Sequence, residues 1–138
     1  MKGQKGQVIV EFAVVLPFFL MLAFLVIHSG LLFADYMNLS NVARSSAREA
    51  ALQGTAAYAD IREHYRTNTH LISNLYTWDE GDNGFQFAEG DVSNSVQVTI
   101  TTTLNEEFPG VRALDWFGLR LPRTYEIQYS MHDETAGT

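Results

Sequence analysis

Residues 3–34 read GQKGQVIVEFAVVLPFFLMLAFLVIHSGLLFA, and this stretch decides the fold. From Phe12 to Ala34 it carries no formal charge. A helix of about 23 residues is roughly 35 Å long, slightly more than the roughly 30 Å hydrocarbon core of a bilayer, so a membrane-spanning helix is predicted. Glu11 stands directly before the apolar run. A carboxylate at the edge of a spanning helix is expensive, which marks Glu11 as a candidate functional residue that needs a partner.

Charges are distributed unevenly around this run. Lys2 and Lys5 precede it and Asp35 follows it. This pattern predicts a single-pass protein of the cytoplasmic membrane, with its N-terminus in the cytoplasm and the remainder outside. The chain has 9 Lys and Arg against 16 Asp and Glu, a net charge of −7. Since contact with phosphates needs a clustered basic face, nucleic acid is not expected as a partner.

A cleaved secretory signal is the alternative interpretation of the apolar run. The run is longer than a signal core of about 7–15 residues. The small-residue site that a signal peptidase would need, at residues 32–34, begins with leucine instead. A plain membrane anchor fits the length better, but it leaves Gly6 and Glu11 without a role.

The helix is predicted to continue beyond the membrane to Gln53, where Gly54 supplies a stop. Small and apolar side chains recur there at three- and four-residue spacing and form a narrow face: Leu39, Val42, Ala43, Ser46, Ala47, Ala50 and Ala51. Such small residues, above all Ala43, Ala47 and Ala50, would let another helix approach closely. Pro17 predicts either an ordinary kink or a point where the helix melts locally as it packs against copies of itself.

The remainder predicts a small head of the α+β class. Thr55 is a candidate cap for a second helix, from Ala56 to about Leu75. Its apolar stripe comprises Tyr58, Ile61, Tyr65, Ile72 and Leu75. Alternation of apolar and polar residues predicts antiparallel neighbouring strands at Ser95–Leu104 and Arg123–Met131, with a short strand at Phe85–Phe87.

The expected organisation therefore has three parts. Residues 1–6 form a basic leader, residues 7–54 form the transmembrane and extended helix, and residues 55–138 form an extracytoplasmic head with a second helix and a short antiparallel sheet. A soluble part of roughly a hundred residues can hold one modest core but not two domains.

Two segments of the head are candidate binding regions. Residues 79–84, DEGDNG, predict an exposed loop; a calcium loop of the EF-hand type fails because its third and twelfth positions would be Gly81 and Gly90. Whether this loop binds another cation stays open. The long connection 105–122 contains Phe108, Trp116 and Phe117. It is either a flap that completes the core, with a helical turn at 111–116, or a contact surface for a partner subunit.

No catalytic constellation is found in the sequence. His64 and His70 are six residues apart on a predicted helix and lie on different faces, so they would not chelate a metal together. The chain has no cysteine, no glycine-rich phosphate loop and no G-x-S-x-G motif. An enzyme is therefore not expected, and no cofactor or metal site is predicted.

The leader resembles the processing site of type IV prepilins, at Gly6-Gln7 with Glu11 five residues after the glycine. The longer run Gly-Gln-x-x-Val-Glu-Phe-Ala-x-x-Leu-Pro at residues 6–17 is similar to the TadE-like pseudopilins of the tight-adherence (Tad/Flp) pilus system. Residues 41–51, NVARSSAREAA, are similar to the Ala-Ala-Arg-x-x-Ala-Arg segment of the same family. The resemblance covers about the first 54 residues. Unlike some members this chain lacks cysteine, and its acidic loop at 79–84 departs from the pattern.

This resemblance implies a function. A prepilin peptidase would cut after Gly6, and the Glu11 carboxylate would pair with the new N-terminus of a neighbouring subunit. The chain would be a minor pilin or pseudopilin that primes or caps a filament, with other pilin and pseudopilin subunits, the membrane and the pilus assembly platform as partners. It would be found in the membrane, and at the pilus tip or outside the cell after assembly. The alternative function is a membrane-anchored binding module that never polymerises and has no use for Gly6 and Glu11.

Overall fold

One long helix runs through both the apolar segment and the head. The computed structural model describes residues 3–78, 82–90, 92 and 94–133. Helix α1 extends from Gly3 to Gln53, 51 residues, and its assignment continues through Pro17 without a break. It ends at Gly54, whose φ of 77° favours glycine and whose amide donates to the carbonyl of Ala50 at 2.9 Å. The sequence predicts one continuous rod from about Val8 to Gln53; its continuity and its end are confirmed, whereas the helix begins earlier, at Gly3.

The head contains a four-stranded antiparallel sheet built around its longest strand. The strands are β1 (Tyr76–Trp78), β2 (Phe85–Glu89), β3 (Ser95–Leu104) and β4 (Thr124–His132). β3 is the central strand. Along one of its edges, β2 pairs with residues 96–100 and β1 pairs with residues 102–104. Along the other edge, β4 pairs with residues 95–103. The predicted limits of β3 and its antiparallel pairing with β4 are confirmed. β1 was not predicted from the sequence.

The core lies between the second half of α1 and the sheet. Apolar side chains of β3 and β4 point towards the helix, which buries Val98, Ile100 and Ile127. The face of α1 opposite them presents Leu39, Val42, Ala43 and Ala47. Because these helical side chains are mostly small, the backbone of α1 can approach the strands closely. The head therefore has no core without the second half of α1.

Within the chain, the small-residue face packs against the sheet and the helix Tyr58–Asn68. Ala43 and Ala47 are completely buried against the sheet of the same chain, and Ala50 is completely buried against Ile61 and Val96. The face was expected to receive another helix. Ala50 meets Ile61 of the helix Tyr58–Asn68, and Tyr65 of that helix packs on the cluster that contains Ala43 and Ala47, so this helix belongs to the same head. The sequence pattern identifies a face that needs close packing, whereas the nature of the packed surface depends on the tertiary fold.

The second helix is shorter than predicted. A 3₁₀ turn (Thr55–Ala57) leads into α2 (Tyr58–Asn68), and no side chain caps either start. Both the Thr55 cap and the continuation to Leu75 were therefore wrong. Beyond Asn68 the chain turns back towards α1, so that Leu75 is buried while Ile72 is exposed. Thr69 already has an extended backbone, and the segment beyond it is held by a distant carboxylate, that of Asp35, which is described below.

The connection between β3 and β4 forms a third helix, α3 (Pro109–Trp116). Proline at its first position fits the helix start, where no amide hydrogen is needed. The predicted turn at 111–116 is thus part of a slightly longer helix. The acidic residues 79–81 lie outside the described residues, and only the 3₁₀ turn Asp82–Gly84 of that loop is described. The question of a cation there stays a prediction.

Candidate functional site

The first candidate site is the start of α1, where Gly6, Gln7 and Glu11 lie within two turns of helix. Gln7 and Glu11 are four residues apart and therefore share a face. The Gln7 side-chain amide donates to the Glu11 carboxylate at 3.5 Å, a long contact that is open to solvent. In the described part of the chain this is the one hydrogen bond recorded for that carboxylate. Glu11 therefore retains most of its capacity to accept hydrogen bonds from another molecule.

The surface around Glu11 is apolar and uncovered. Val8, Val10, Phe12 and Val15 are all more exposed than buried. The most apolar 18-residue window of α1 is 0% buried by the described residues, and by length and composition this helix can cross a membrane. A soluble protein would not leave so large an apolar surface in water. The helix is therefore a membrane anchor whose surface is available to lipid or to other apolar helices.

Gly6 lies in the second turn of the same helix, and its surroundings are open. A Cβ placed on Gly6 would meet no atom within 4 Å. Glycine in a helix costs about 1 kcal/mol relative to alanine, and the first turn lacks half of its backbone hydrogen bonds. With Gly3 and Gly6 both near the helix start, this is the part of α1 that unwinds most easily.

Pro17 stands six residues beyond Glu11, inside the exposed apolar part of α1. It has no amide hydrogen to donate to the carbonyl of Ala13, so this turn holds one hydrogen bond fewer than its neighbours. The helix nevertheless continues on both sides. Pro17 was interpreted as either an ordinary kink or a place where the helix unwinds locally as it packs against copies of itself. Both interpretations stay predictions.

Asp35 is a buried carboxylate whose structural role was not predicted from the sequence. It appeared only as the first acid after the apolar run, yet it is 1% exposed. Its two carboxylate oxygens accept hydrogen bonds from the amides of Ile72 at 2.7 Å and Ser73 at 2.9 Å. These charge-assisted bonds fasten the segment after α2 to the point where α1 enters the head. An acid placed directly after some twenty uncharged residues was the signal that could have drawn attention to it.

The second candidate site, Phe108 with Trp116 and Phe117, is divided by the structure into two environments. The Phe108 ring lies 5.9 Å from the ring of His28 on α1 and is half-buried. His28 itself donates from Nδ1 to the carbonyl of Phe24 at 3.0 Å and stacks on its ring. Trp116 and Phe117, at the other end of α3, remain 83% and 49% exposed. Only these two are therefore free to meet a partner.

Tyrosines around the junction of α1 and the sheet are the groups with perturbed acidity in the head. Burial raises the pKa of the Tyr125 and Tyr76 phenols, whose rings contact each other edge to face at 4.7 Å. Tyr76 donates its hydroxyl hydrogen to the carbonyl of Pro122 at 2.8 Å. These phenols are therefore neutral structural groups at physiological pH, not proton donors or acceptors poised for catalysis.

The comparison with protein families concerns the first site. Residues 6–48 match the family model described as TadE-like protein. The TadE-like segment begins at Gly6, includes Glu11 and Pro17, and ends inside the part of α1 that packs on the sheet. It covers about a third of the chain, so most of the head lies beyond it. No curated protein and no solved structure matches the chain. The TadE-like segment is consistent with a Tad pilus-related protein, a class whose role is structural, not catalytic.

Proposed function

We propose that this chain is a minor pilin, or pseudopilin, that primes or caps a Tad-type pilus or secretion filament after a prepilin peptidase cuts between Gly6 and Gln7. Before assembly it lies in the cytoplasmic membrane with its N-terminus in the cytoplasm and its head outside. Its partners are other pilin and pseudopilin subunits and the assembly platform. The observation that carries the proposal is the Gly6–Glu11 pair at the start of an uncovered apolar helix inside the TadE-like match.

The chemistry of the pair explains why both residues are needed. Cleavage would leave a free amine on Gln7, four residues and therefore about 6 Å along the helix from Glu11. In an apolar bundle a carboxylate needs a cation or hydrogen-bond donors close to it. The amine of an adjacent subunit can supply both, because within the described residues Glu11 has only one, long hydrogen bond. Since each subunit carries one amine and one Glu11, the pairing also fixes the axial offset between neighbours.

Cleavage is tested by co-expression with a prepilin peptidase, followed by sequencing of the N-terminus of the product. The expected mature chain begins at Gln7. The Gly6→Leu variant should keep its leader. The control is Gly30→Leu, which changes another helical glycine that has open space around it. This control variant should be cut normally. A chain that retains Met1 in the presence of active peptidase, or one cut after Ala34, would contradict the proposal.

The role of Glu11 is tested separately from cleavage. Glu11→Ala should insert into the membrane and be cut, but should abolish assembly of filaments. The double variant Val10→Glu with Glu11→Val keeps an acid at the same depth but turns it by about 100° around the helix. If Glu11 pairs with one specific neighbour, this variant should also fail to assemble. If it assembles normally, the acid merely reaches the headgroup region.

The alternative, an anchored binding module that does not polymerise, predicts different results in both tests. Such a module needs neither the cut nor the acid, so its activity would survive Gly6→Leu and Glu11→Ala. The exposed pair Trp116 and Phe117 would be its candidate contact surface. Filaments that form without processing of this chain, and that lack the chain when isolated, would favour the module.

A further inference from the structure

Helix α3 leans against α1 at a level that a bilayer would occupy. A Cβ on Gly110 would come within 2.7 Å of the Phe24 ring, and Phe108 lies beside His28. Phe24 is ten residues before Ala34, the end of the apolar run, and His28 is six residues before it. These separations correspond to about 15 Å and about 9 Å along the helix. The start of α3 therefore reaches back alongside the membrane-crossing segment, well below the level where the apolar run ends.

The exposed side chains at the far end of α3 suit a membrane surface. Gly110 and Leu114 are buried and lie on one face of α3, which faces the protein. Trp116 follows two residues after Leu114 and points to the opposite side, because two residues turn a helix by about 200°. With Phe117 and Leu119, which is 43% exposed, it forms an uncovered apolar cluster. Tryptophan is enriched at the boundary between hydrocarbon and headgroups, where its ring is buried and its N–H stays wet.

Three arginines lie at the Leu119 end of this cluster. Arg112, Arg120 and Arg123 line a hollow beside Leu119, together with Glu106 and Asp115. The two ion pairs there are long and exposed, at 3.9 Å for Arg120 with Asp115 and 3.8 Å for Arg123 with Glu106. Pairs of this kind contribute little, so the guanidinium groups remain able to bind phosphate. An apolar cluster beside arginines is the pattern of a helix that lies in the membrane interface.

An apolar groove connects this segment with α1. It has a volume of about 450 Å³, and its lining includes Leu32, Phe33 and Tyr36 of α1 and Leu121 and Pro122 of the connection. Phe33 is itself exposed on the membrane-crossing helix. The apolar surface of α1 thus continues into the groove as far as Leu121 and Pro122, although Glu126 also lines the groove and Arg120 separates Leu121 from Leu119. This continuity identifies lipid as the occupant of the exposed cluster.

We infer that the segment Phe108–Leu119 is a second membrane-binding element, which lies in the outer leaflet beside α1. Trp116, Phe117 and Leu119 lie among the upper parts of the acyl chains, and the arginines lie at the level of the lipid phosphates. The inference requires only that α1 crosses the membrane; it does not depend on cleavage at Gly6 or on filament assembly. The head is consequently held flat on the bilayer at two points rather than standing free on its anchor.

The test places the intact protein in phosphatidylcholine and phosphatidylglycerol vesicles that contain lipids brominated at different positions of the acyl chain. In the Trp78→Phe variant, Trp116 is the sole tryptophan. Its fluorescence should be quenched several-fold more strongly than that of Trp78 in the matched Trp116→Phe variant, and most strongly by bromines near the headgroup. Equal, weak quenching of both tryptophans, with Trp116 accessible to iodide in the water, would overturn the inference.

A second probe avoids any loss of stability from Trp78→Phe. The chain has no cysteine, so Phe117→Cys and the control Asp60→Cys on exposed α2 can each carry one polarity-sensitive label. The label at 117 should report an apolar environment in vesicles at every ratio of protein to lipid, and the label at 60 should report water. If the label at 117 becomes shielded only when the protein is concentrated in the membrane, a second copy is the occupant and the inference is wrong.

Discussion

Replacement of Asp35 by alanine should destabilise the head more than any other single change of a polar residue described above. The substitution leaves the amide hydrogens of Ile72 and Ser73 without their acceptors. A buried donor that loses its partner costs about 1–3 kcal/mol. The hydrogen bond from the Ser73 amide is buried and that from the Ile72 amide is partly buried, so we expect a total loss of about 3 kcal/mol. Asp35→Asn keeps one acceptor oxygen and should lose about half as much.

The measurement is a urea titration of the intact protein in detergent micelles. The fluorescence of Trp78, next to the core, reports the head alone when Trp116 is replaced by phenylalanine. Helical circular dichroism would be a poor signal, because the apolar part of α1 stays helical in the micelle at every urea concentration. Hydrogen exchange at the amides of Ile72 and Ser73 gives a second, local readout, and both should lose protection in Asp35→Ala.

The control is Asn38→Ala, one turn further along α1. Asn38 bonds to the same returning segment, but through a single 3.5 Å contact with the carbonyl of His70. A long bond of this kind should contribute less than about 0.5 kcal/mol. The reasoning is refuted if Asp35→Ala unfolds within about 1 kcal/mol of the unchanged protein, or if Asn38→Ala is equally harmful.

Three further outcomes follow from the packing. Ala47→Leu forces extra volume between α1 and the sheet and should cost about 1–3 kcal/mol in the same titration, whereas Ala56→Leu on the exposed turn should be neutral. Gly118 has a φ of 77° and open space around it, so Gly118→Ala should cost about 1 kcal/mol from backbone strain alone; an unchanged urea midpoint would contradict this. Burial raises the pKa of four phenols, so the folded head prefers their neutral form. The free energy of unfolding should therefore be highest below about pH 10 and should fall as the pH rises further. A urea midpoint that stays level or rises above pH 10 would refute this prediction. These phenols belong to Tyr58, Tyr65, Tyr76 and Tyr125.

Local patterns predicted the elements whose structure is decided locally. The alternation from Ser95 to Leu104 gives a strand with the same limits in the structure, because half-buried strands are specified by period alone. β1 is only three residues long, and no period can be seen in Tyr76–Trp78. It is a strand because Tyr76 faces Leu104 across the ladder, a pairing that depends on the whole fold.

Long-range contacts account for the remaining differences. The stripe from Tyr58 to Leu75 predicts a helix to its end, but Asp35 binds two amides of that stretch from 37 and 38 residues away. Likewise, the small-residue face of α1 could be identified in the sequence, but the surface against which it packs could not. Two residues of the candidate processing and assembly site, Gly6 and Glu11, could be identified from the sequence because their spacing is itself the signal. The partners proposed for them belong to other molecules, which a single chain does not contain.

Helix α1 connects Pro17 to the core of the head without a break. From Pro17 to Gln53 the helix is about 54 Å long, and its far half is part of the core of the head. A bend of about 20° at Pro17 would therefore displace the far end of α1, and the head packed on it, by about 18 Å relative to the axis of residues 3–16. A change of angle at Pro17 thus alters the direction of residues 3–16 relative to the head, and no flexible linker lies between them to absorb it.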